Sequence, residues 1–278
     1  MTDLSEPLFL FGPGFSGHAL AQIWAGPVYG TVRSEASRER LAGTKISPID
    51  INDDDALRGS VSGAHVIISA PPRDDGCPGI ETIGGIADTA ASVTYLSTTG
   101  VYGDLRGGWA MEWTAPHPQS VRAERRLKAE LAWQETSDRL RIVRLPGIYG
   151  PGRSALDRLH AGKARRVVRD GQVFSRIHVD DIASGLNALI TNAQLGVYHL
   201  CDECAAPPQD VITYAAELLD ITPPPLVAYE DADLTDMARS FYSECKRVSN
   251  AKIKAATGWR PQYPSYREGL LSIYEAGA

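Results

Sequence analysis

Short apolar runs recur along the first two thirds of the chain, and most of them are separated by segments whose apolar residues repeat at helical spacing. The first run, residues 8–11, reads Leu-Phe-Leu-Phe and ends at a glycine, as buried strands of parallel sheets do. Strands that alternate with helices form right-handed βαβ units. The pattern therefore predicts the α/β fold class, with a doubly wound parallel sheet and helices on both faces. The further predicted strands are 28–32, 45–49, 65–69, 93–97, 141–145 and 197–200, and the first helices are 17–24 and 37–41.

The last third of the chain has a different pattern. Proline-rich breaks at 207–208 and 223–225 flank a predicted helix at 209–219, and a second helix is predicted at 266–274. No long buried strand follows residue 225. This pattern predicts a smaller C-terminal lobe over the carboxyl edge of the sheet. We expect residues 1–150 and 176–204 to form the sheet domain, and 151–175 and 205–278 to form the lobe.

Composition narrows the classes of function. The chain has 278 residues, of which 43% are hydrophobic and 22% charged. No apolar run reaches the roughly 20 residues of a membrane span. The acidic, polar segment 1–7 lacks the basic start of a secretory signal, so we expect a cytoplasmic protein with no membrane partner. The net charge of −6 argues against a nucleic-acid partner, which needs a basic face.

The four cysteines are too scattered for a disulfide framework. Cys201 and Cys204 form a CxxC pair, but no second ligand pair accompanies it. Free thiols are the favoured interpretation, a redox pair is the alternative, and no metal site is predicted.

A glycine-rich segment lies directly after the first predicted strand and opens the first helix. Gly12, Gly14 and Gly17 fit G-x-G-x-x-G, with Phe15 and Ser16 between the last two glycines. The first glycine permits a tight turn, the second lets the backbone approach a pyrophosphate, and the third packs the helix against the strand. The helix N-terminus then faces the phosphates. The segment predicts a Rossmann dinucleotide site, and a plain glycine turn is the alternative.

The end of the second strand distinguishes NAD from NADP. An acidic residue there would bind the ribose 2′-hydroxyl, but the sequence has Arg33 and Ser34. A guanidinium and a hydroxyl suit a 2′-phosphate, which favours NADP. In the alternative interpretation Arg33 is a solvated surface residue, and either cofactor binds.

Six segments in the same order resemble those of the extended short-chain dehydrogenase/reductases, in the NAD-dependent epimerase/dehydratase family. The glycine loop is the first segment. In the resemblance, Ser69, Ala70 and Pro71 contact the cofactor, Thr98 is the catalytic Ser/Thr, and Pro146 lies in the segment that passes the nicotinamide. The other segments are 96–103, 144–151, 177–182 and 258–261. The resemblance implies a structural role for His178 and Asp181.

The sequence departs from this family at its Tyr-x-x-x-Lys motif. The equivalent helix carries Arg122 in place of the tyrosine and Arg126 in place of the lysine. Arg126 retains hydrogen-bond donors for the ribose of the cofactor. A guanidinium stays protonated, however, so Arg122 cannot exchange a proton with a substrate oxygen. The two arginines share one helix face and suit a carboxylate or phosphate of a ligand, unless they are merely solvated. The departure makes the chain resemble atypical members of the family.

Three residues are candidates to replace the missing proton donor. Tyr102 directly follows the Thr98 strand, and Glu112 and His117 lie in a loop that resembles the family's substrate-proximal loop. Histidine titrates near neutral pH, which suits acid–base catalysis. The alternatives are a core tyrosine, a capping or surface glutamate and a loop histidine. In the lobe, Tyr242, Lys246 and Arg247 are candidates to contact an anionic or sugar-like substrate, with an ordinary surface segment as the alternative.

Two functions are compatible with these residues. The first is an NADP-dependent oxidoreductase, epimerase or dehydratase that acts on a small polar molecule, such as a nucleotide sugar, with a non-standard proton donor. The second is a sensor or regulatory module that binds the dinucleotide without chemistry. The retained substrate-side segments favour the enzyme. The resemblance also implies homodimerisation through the helix at 122–134.

Overall fold

The computed structural model describes residues 6–277, so most of the N-terminal segment 1–7, predicted not to be a secretory signal, lies outside the described residues. The strands are β1 Leu8–Phe11, β2 Val28–Val32, β3 Ile46–Asp50, β4 His65–Ile68, β5 Ser92–Thr98, β6 Trp109–Ala110, β7 Leu140–Leu145, β8 Gly147–Tyr149, β9 Arg166–Val168, β10 Arg176–His178, β11 Gly196–His199, β12 Leu226–Ala228 and β13 Arg247–Val248. The α-helices are α1 Phe15–Ile23, α2 Glu35–Glu39, α3 Asp54–Val61, α4 Pro78–Ile83, α5 Val121–Thr136, α6 Ala155–His160, α7 Val179–Thr191, α8 Pro208–Leu218, α9 Asp236–Tyr242, α10 Ala251–Thr257 and α11 Tyr266–Glu275. Two 3₁₀ helices span Gly84–Thr89 and Thr99–Tyr102.

Seven parallel strands form the central sheet, in the order β11-β7-β5-β4-β1-β2-β3. This confirms the predicted doubly wound sheet, and all seven predicted strands are present within two residues of their expected bounds. Helix α2 begins two residues before its predicted start, because Ser34 and Ser37 form a reciprocal capping box there. The spacing of apolar residues, on which the prediction of this helix was based, does not reveal a helix start that is formed by polar residues.

Two hydrophobic cores cover the faces of the sheet, and alternate residues of β1 point to each. Leu8 and Leu10 face a core built with α1 and α7, whereas Phe9 and Phe11 face the second core. Helices α3, α4 and α5 cover that second face, where Trp133 of α5 is fully buried. The glycine loop and the ends of β4, β5 and β7 therefore emerge at one edge between two rigid layers.

A third core lies beyond the sheet. It joins Tyr149 to α6, α8 and α11, whereas the short strands β9 and β12 pair beside it. Residues 251–259, which the sequence assigns to the lobe, pack instead against the sheet domain, because Ile253 and Trp259 enter the core with α7. Among residues 6–277, no helix is long and apolar enough to cross a membrane.

Asp181 ties α7 to the segment before α11. Its carboxylate accepts the backbone N–H groups of Gln262, at 2.6 Å, and of Tyr263, at 3.1 Å. His178 caps α7 by accepting the N–H of Asp180. Burial raises the pKa of Asp181 to about 6, against the opposing effect of the two N–H donors. These contacts hold the return of the chain to the sheet, in agreement with the structural role that the sequence implies.

Candidate functional site

The glycine loop lies at the point where the strand order reverses, between β1 and β4. Gly12 has a φ of 74°, and a Cβ there would lie 3.0 Å from the Cβ of Ala70. The hydroxyl of Ser69 donates to the carbonyl of Gly12, and the N–H of Gly12 donates to Thr31 Oγ1 at 2.8 Å. The predicted residues after β1 and β4 are thus in contact, whereas Pro71 is exposed beyond them. Thr31 stabilises the glycine loop by accepting this hydrogen bond, a role that the glycine motif alone does not reveal.

Helix α1 begins with free donors. Its N-cap, Gly14, has no side chain to accept a hydrogen bond, and its first turn carries no acidic residue. A Cβ on Gly14 would meet only the carbonyl oxygen of Gly12, at 3.9 Å. The backbone N–H groups of Phe15 and Ser16 have no hydrogen-bond acceptor within the described residues and lie at a positive helix end, which suits a phosphate. The chain fits a dinucleotide pyrophosphate at this position.

The residues at the end of β2 have separate roles. Arg33 is exposed, and its guanidinium has no hydrogen-bond or ion-pair partner within the described part of the chain. The hydroxyl of Ser34 accepts the N–H of Ser37, so this hydroxyl already caps α2. Arg33 is thus free to bind a phosphate at this edge, whereas Ser34 is committed to the helix start.

A pocket of about 870 Å³ opens between the carboxyl edge of the sheet and the lobe. Thr98 at the end of β5 lines it, and so do Pro146, Arg122 and Arg126. The structure therefore brings these four predicted site residues together at the edge of the sheet, and Tyr242 and Lys246 line the same pocket from the lobe.

Arg122 and Arg126 are held differently within the pocket wall. Arg126 donates to the carbonyl of Leu96 at 2.8 Å, and its guanidinium lies 5.6 Å from the centre of the Tyr95 ring. Arg122 is exposed and lies 4.8 Å from the ring centre of Phe241, in α9. Among residues 6–277, no acidic group pairs with Arg122. The guanidinium of Arg126 is anchored to the sheet, whereas the N–H donors of the Arg122 guanidinium all remain available to a ligand.

The pocket wall is cationic although the chain as a whole carries a net charge of −6. The cations that line it are Arg122, Arg126, Arg153, Arg158, Lys163, Arg165, Arg176 and Lys246, and the carboxylates are Asp157 and Glu244. Asp157 accepts hydrogen bonds from the backbone and hydroxyl of Ser154, and Glu244 pairs with Lys246 at 2.5 Å. The wall therefore favours an anionic ligand.

Most of these lobe cations were missed in the sequence. The signal was present, because six arginines and lysines occur between positions 153 and 169. A run of this kind is ordinarily a solvated surface, and only the folded lobe shows that four of the six turn toward one pocket.

Tyr102 is not at the pocket, in contrast to its prediction as a catalytic donor. It is fully buried, and its hydroxyl lies 2.6 Å from Nε2 of His199 and accepts Nη1 of Arg144 at 2.7 Å. Burial raises the pKa of Tyr102 to about 12, against the opposing effect of Arg144. The turn after β5 directs this side chain into a polar network beneath the sheet edge.

Glu112 and His117 also lie away from the pocket lining. Glu112 is buried and accepts the backbone N–H of His199 at 3.3 Å, and burial raises its pKa. His117 is exposed, and only its backbone is engaged, donating to the carbonyl of Val101 at 2.8 Å. The loop that carries these two residues thus covers the polar network of Tyr102, with the Glu112 side chain buried and the His117 side chain exposed to solvent.

The lobe candidates around β13 divide between two faces. Lys246 and Val248 line the pocket, but Arg247 does not, because successive side chains of a strand point to opposite sides. Arg247 donates instead to the carbonyl of Gly107. The ammonium of Lys246 is bound by Glu244 and by the carbonyl of Gly103, at 2.7 Å. Tyr242 lines the pocket as expected.

Comparisons with known proteins agree with this architecture. No family model matches the chain. A solved structure of a functionally unknown conserved protein from Silicibacter pomeroyi is 40% identical, with a TM-score of 0.90 over 98% of this chain and 100% of that one. The dTDP-glucose 4,6-dehydratase of Bacillus anthracis, solved in complex with NAD, is similar in fold, with a TM-score of 0.75 at 16% identity over 98% of this chain and 97% of that one.

One curated relative matches part of the chain. The 3-diazoavenalumate denitrifying reductase of a Streptomyces species is 28% identical over an alignment of 140 residues, which covers 46% of this chain and 45% of the reductase. The chain thus aligns with less than half the length of that relative.

Proposed function

The chain belongs to the same family as the Silicibacter pomeroyi protein, and we propose that it is an NADP-dependent oxidoreductase of the epimerase/dehydratase type, acting on a small anionic substrate. The observation that carries the proposal is the joint position of Thr98, Arg122 and Arg126 in one cationic pocket at the edge of the sheet. The uncapped α1 N-terminus and the crevice between β1 and β4 support the cofactor.

Five parts of the chain would hold the dinucleotide. The first-turn N–H groups of α1 would bind the pyrophosphate, and Arg33 would bind the 2′-phosphate that distinguishes NADP. The segment 69–71 would border the adenosine side of the crevice. Arg126 and Pro146 would border the nicotinamide end. A bound nicotinamide would supply or accept a hydride at a substrate carbon.

Thr98 and Arg122 would act on the substrate oxygen. Thr98 Oγ1 accepts the N–H of Gly100 at 3.1 Å, which leaves its own hydroxyl proton for a substrate oxygen. Arg122 occupies the position that the resembling family gives to tyrosine, and its guanidinium would stabilise negative charge as it develops on that oxygen. The guanidinium keeps its proton, so the proton that completes the reaction comes from water in the pocket. The charge of Arg122 would thus take the place of the family's tyrosine, and this exchange is the non-standard feature of the proposed site.

The pocket wall supports an anionic substrate. Arg122, Arg158 and Lys163 line it without an acidic partner among the residues described. Candidate substrates are therefore carbonyl compounds that carry a carboxylate, and phosphorylated compounds such as nucleotide sugars. The dehydratase and reductase found in the comparisons are named for small-molecule chemistry, which is consistent with this class.

The direct test is NADPH oxidation with a panel of 2-keto acids, aldehydes, aryl diazo acids and nucleotide sugars. We expect turnover of at least one anionic compound, and a loss of about tenfold or more in kcat/KM for Arg122→Gln. Lys128→Gln, on the exposed surface of the same helix, is the control for removal of a charge. Equal rates for wild type and Arg122→Gln would contradict the role of Arg122.

The second candidate is a sensor that binds NADP without chemistry. One observation favours it: Arg122, which the sequence resemblance aligns with the family's proton-carrying tyrosine, lines the pocket. Calorimetric binding of NADPH, together with no oxidation across the panel, would support the sensor. Absence of binding to either nicotinamide nucleotide would reject both functions.

A further inference from the structure

Tyr242 contributes a phenol to the pocket wall, with its hydroxyl open to the pocket. The residue is 9% exposed and lines the pocket wall, with its ring edge-on to Phe174 at 5.5 Å and tilted against Tyr229 at 5.4 Å. These rings fix the orientation of the phenol. Its hydroxyl has no hydrogen-bond partner in the described part of the chain. The hydroxyl reaches the open space of the pocket, so it is free to donate a hydrogen bond to a ligand group.

Two guanidinium groups share this end of the pocket. Arg158 of α6 and Arg176 of β10 both line it, and both act electrostatically on the phenol of Tyr242. Burial raises the pKa of that phenol while the two arginines oppose the increase, so the hydroxyl remains a donor at neutral pH. Three hydrogen-bond donors therefore line the same pocket, and two of them carry positive charge.

The acidic groups nearby do not neutralise these arginines. Asp157 is bound by Ser154 in the capping box of α6, and no described acid forms an ion pair with Arg158. Arg176 donates from Nη1 to the carbonyls of Phe174 and Ala206, which leaves its other donors unused.

Asp202 lies behind Arg176 but makes no ion pair with it. Its carboxyl accepts the backbone N–H of Cys204 at 3.2 Å. Burial raises the pKa of Asp202 to about 8, against the opposing effects of the Cys204 N–H and of Arg176.

We propose that Tyr242, Arg158 and Arg176 form an oxyanion subsite at the lobe end of the pocket, which binds a carboxylate or phosphoryl group carried by the substrate. This subsite is distinct from the reacting end at Thr98 and Arg122. The proposal rests on the proposed function in that the pocket receives the substrate. It adds that the substrate carries an anionic group remote from the carbon that reacts, so that the lobe binds one end of the molecule and the sheet the other.

The subsite is testable without a substrate or a nicotinamide nucleotide. Binding of succinate and of inorganic phosphate is measured by calorimetry on wild type, Tyr242→Phe and Arg158→Gln, with melting temperatures to confirm folding. Succinate probes a carboxylate, and phosphate probes a phosphoryl group. Phosphate also binds helix N-termini, but α1 is identical in all variants, so differences between them report the lobe subsite.

We expect millimolar binding of at least one probe, weakened roughly fivefold by Tyr242→Phe and roughly tenfold by Arg158→Gln. Arg58→Gln removes the same charge from exposed α3 and should bind within about twofold of wild type. The preferred probe identifies the anionic group. Absence of binding to both probes by wild type, or equal weakening by Arg58→Gln, would overturn the subsite. If the protein bound succinate or phosphate as expected but did not bind NADPH, the proposed function would be overturned and the subsite would stand.

Discussion

The hydroxyl of Tyr102 lies 2.6 Å from Nε2 of His199 in the interior between the sheet and the lobe. Nδ1 of the same imidazole faces the carbonyl of Ser249 at 3.0 Å, so Nδ1 carries the proton and Nε2 accepts from the phenol. Arg144 donates to Tyr102 and binds Glu130 at 2.6 Å. A continuous polar chain therefore connects the 3₁₀ helix after β5, α5, β7, β11 and the segment before α10.

This connection makes Tyr102 a structural residue. Tyr102→Phe leaves Nε2 of His199 and one donor of Arg144 unsatisfied in the interior. We expect a loss of about 1–3 kcal/mol in the free energy of unfolding, measured by urea denaturation, with unchanged NADPH affinity. Tyr198→Phe is the control, because its hydroxyl meets the side chain of Gln194 at 3.0 Å near the surface and should cost less. Loss of turnover in a Tyr102→Phe protein of normal stability would restore the catalytic interpretation.

His199 should make stability depend on pH. Burial lowers its pKa from 6.5 to about 4, with Arg144 and Lys252 acting in the same direction. The unfolded chain therefore takes up a proton at a higher pH than the folded protein, and stability falls as the pH falls from 6.5 to about 4. The loss attributable to this group is on the order of 3 kcal/mol.

The variant His199→Gln isolates this effect. It should be less stable than wild type above pH 6.5, and its urea midpoint should fall less on going to pH 4. Asp181, whose pKa is raised to about 6, acts in the opposite direction but is common to both proteins. Parallel pH profiles for the two proteins would contradict the assignment.

The Arg144–Glu130 pair should matter far more than its surface counterparts. Nη2 and Nε of Arg144 bind the two carboxylate oxygens of Glu130 at 2.6 and 3.1 Å, and both side chains are buried. Glu130→Gln leaves a buried guanidinium without its counter-charge, so we expect a loss of about 3–5 kcal/mol in unfolding free energy.

Glu81→Gln provides the matched comparison for this pair. Glu81 binds Arg73 at the same distance of 2.6 Å, but both side chains are substantially exposed. Its loss should be about 0–1 kcal/mol by the same denaturation measurement. Similar losses for the two variants would mean that burial does not govern the strength of these pairs.

Gly12 and Gly43 allow backbone strain to be separated from crowding. Their φ angles are 74° and 75°, but a Cβ on Gly12 would lie 3.0 Å from Ala70, whereas a Cβ on Gly43 would have no neighbour within 4 Å. Gly43→Ala should cost roughly 1–2 kcal/mol in unfolding free energy from strain alone. Gly12→Ala should cost more and should also weaken NADPH binding, measured by calorimetry. Equal effects on stability and unimpaired binding would show that the loop does not require the close approach.

Arg33 tests the preference between the two nicotinamide nucleotides. Removing its guanidinium removes a charge-assisted contact with a 2′-phosphate, so Arg33→Gln should bind NADPH about tenfold more weakly. NADH lacks this phosphate, and its affinity should not change. Arg40→Gln, which removes the same charge from the exposed C-terminal end of α2, should leave both affinities near wild type. An equal decrease for both nucleotides would indicate a general effect of charge.

The sequence predicted the central sheet because its inner strands are buried on both faces and are therefore largely apolar. Residues 8–11 show this directly, since alternate side chains enter two different cores. The glycine loop was predictable for a similar reason: turn, close approach and helix packing each require a missing side chain at a fixed spacing. Thr98, Arg122 and Arg126 could be located because they lie at fixed distances from these elements.

Long-range contacts between side chains were not predictable in this way. Tyr102 follows β5 in the chain, yet the direction of its side chain depends on His199, which lies 97 residues away. The same holds for Arg158, Arg176 and Tyr242, which come from three separate elements and meet only when the lobe folds over the sheet. The sequence by itself determined the local periodicity and the backbone conformations, because these depend on neighbouring residues. Only the tertiary structure decided which polar side chains are satisfied in the interior and which are left to meet a ligand.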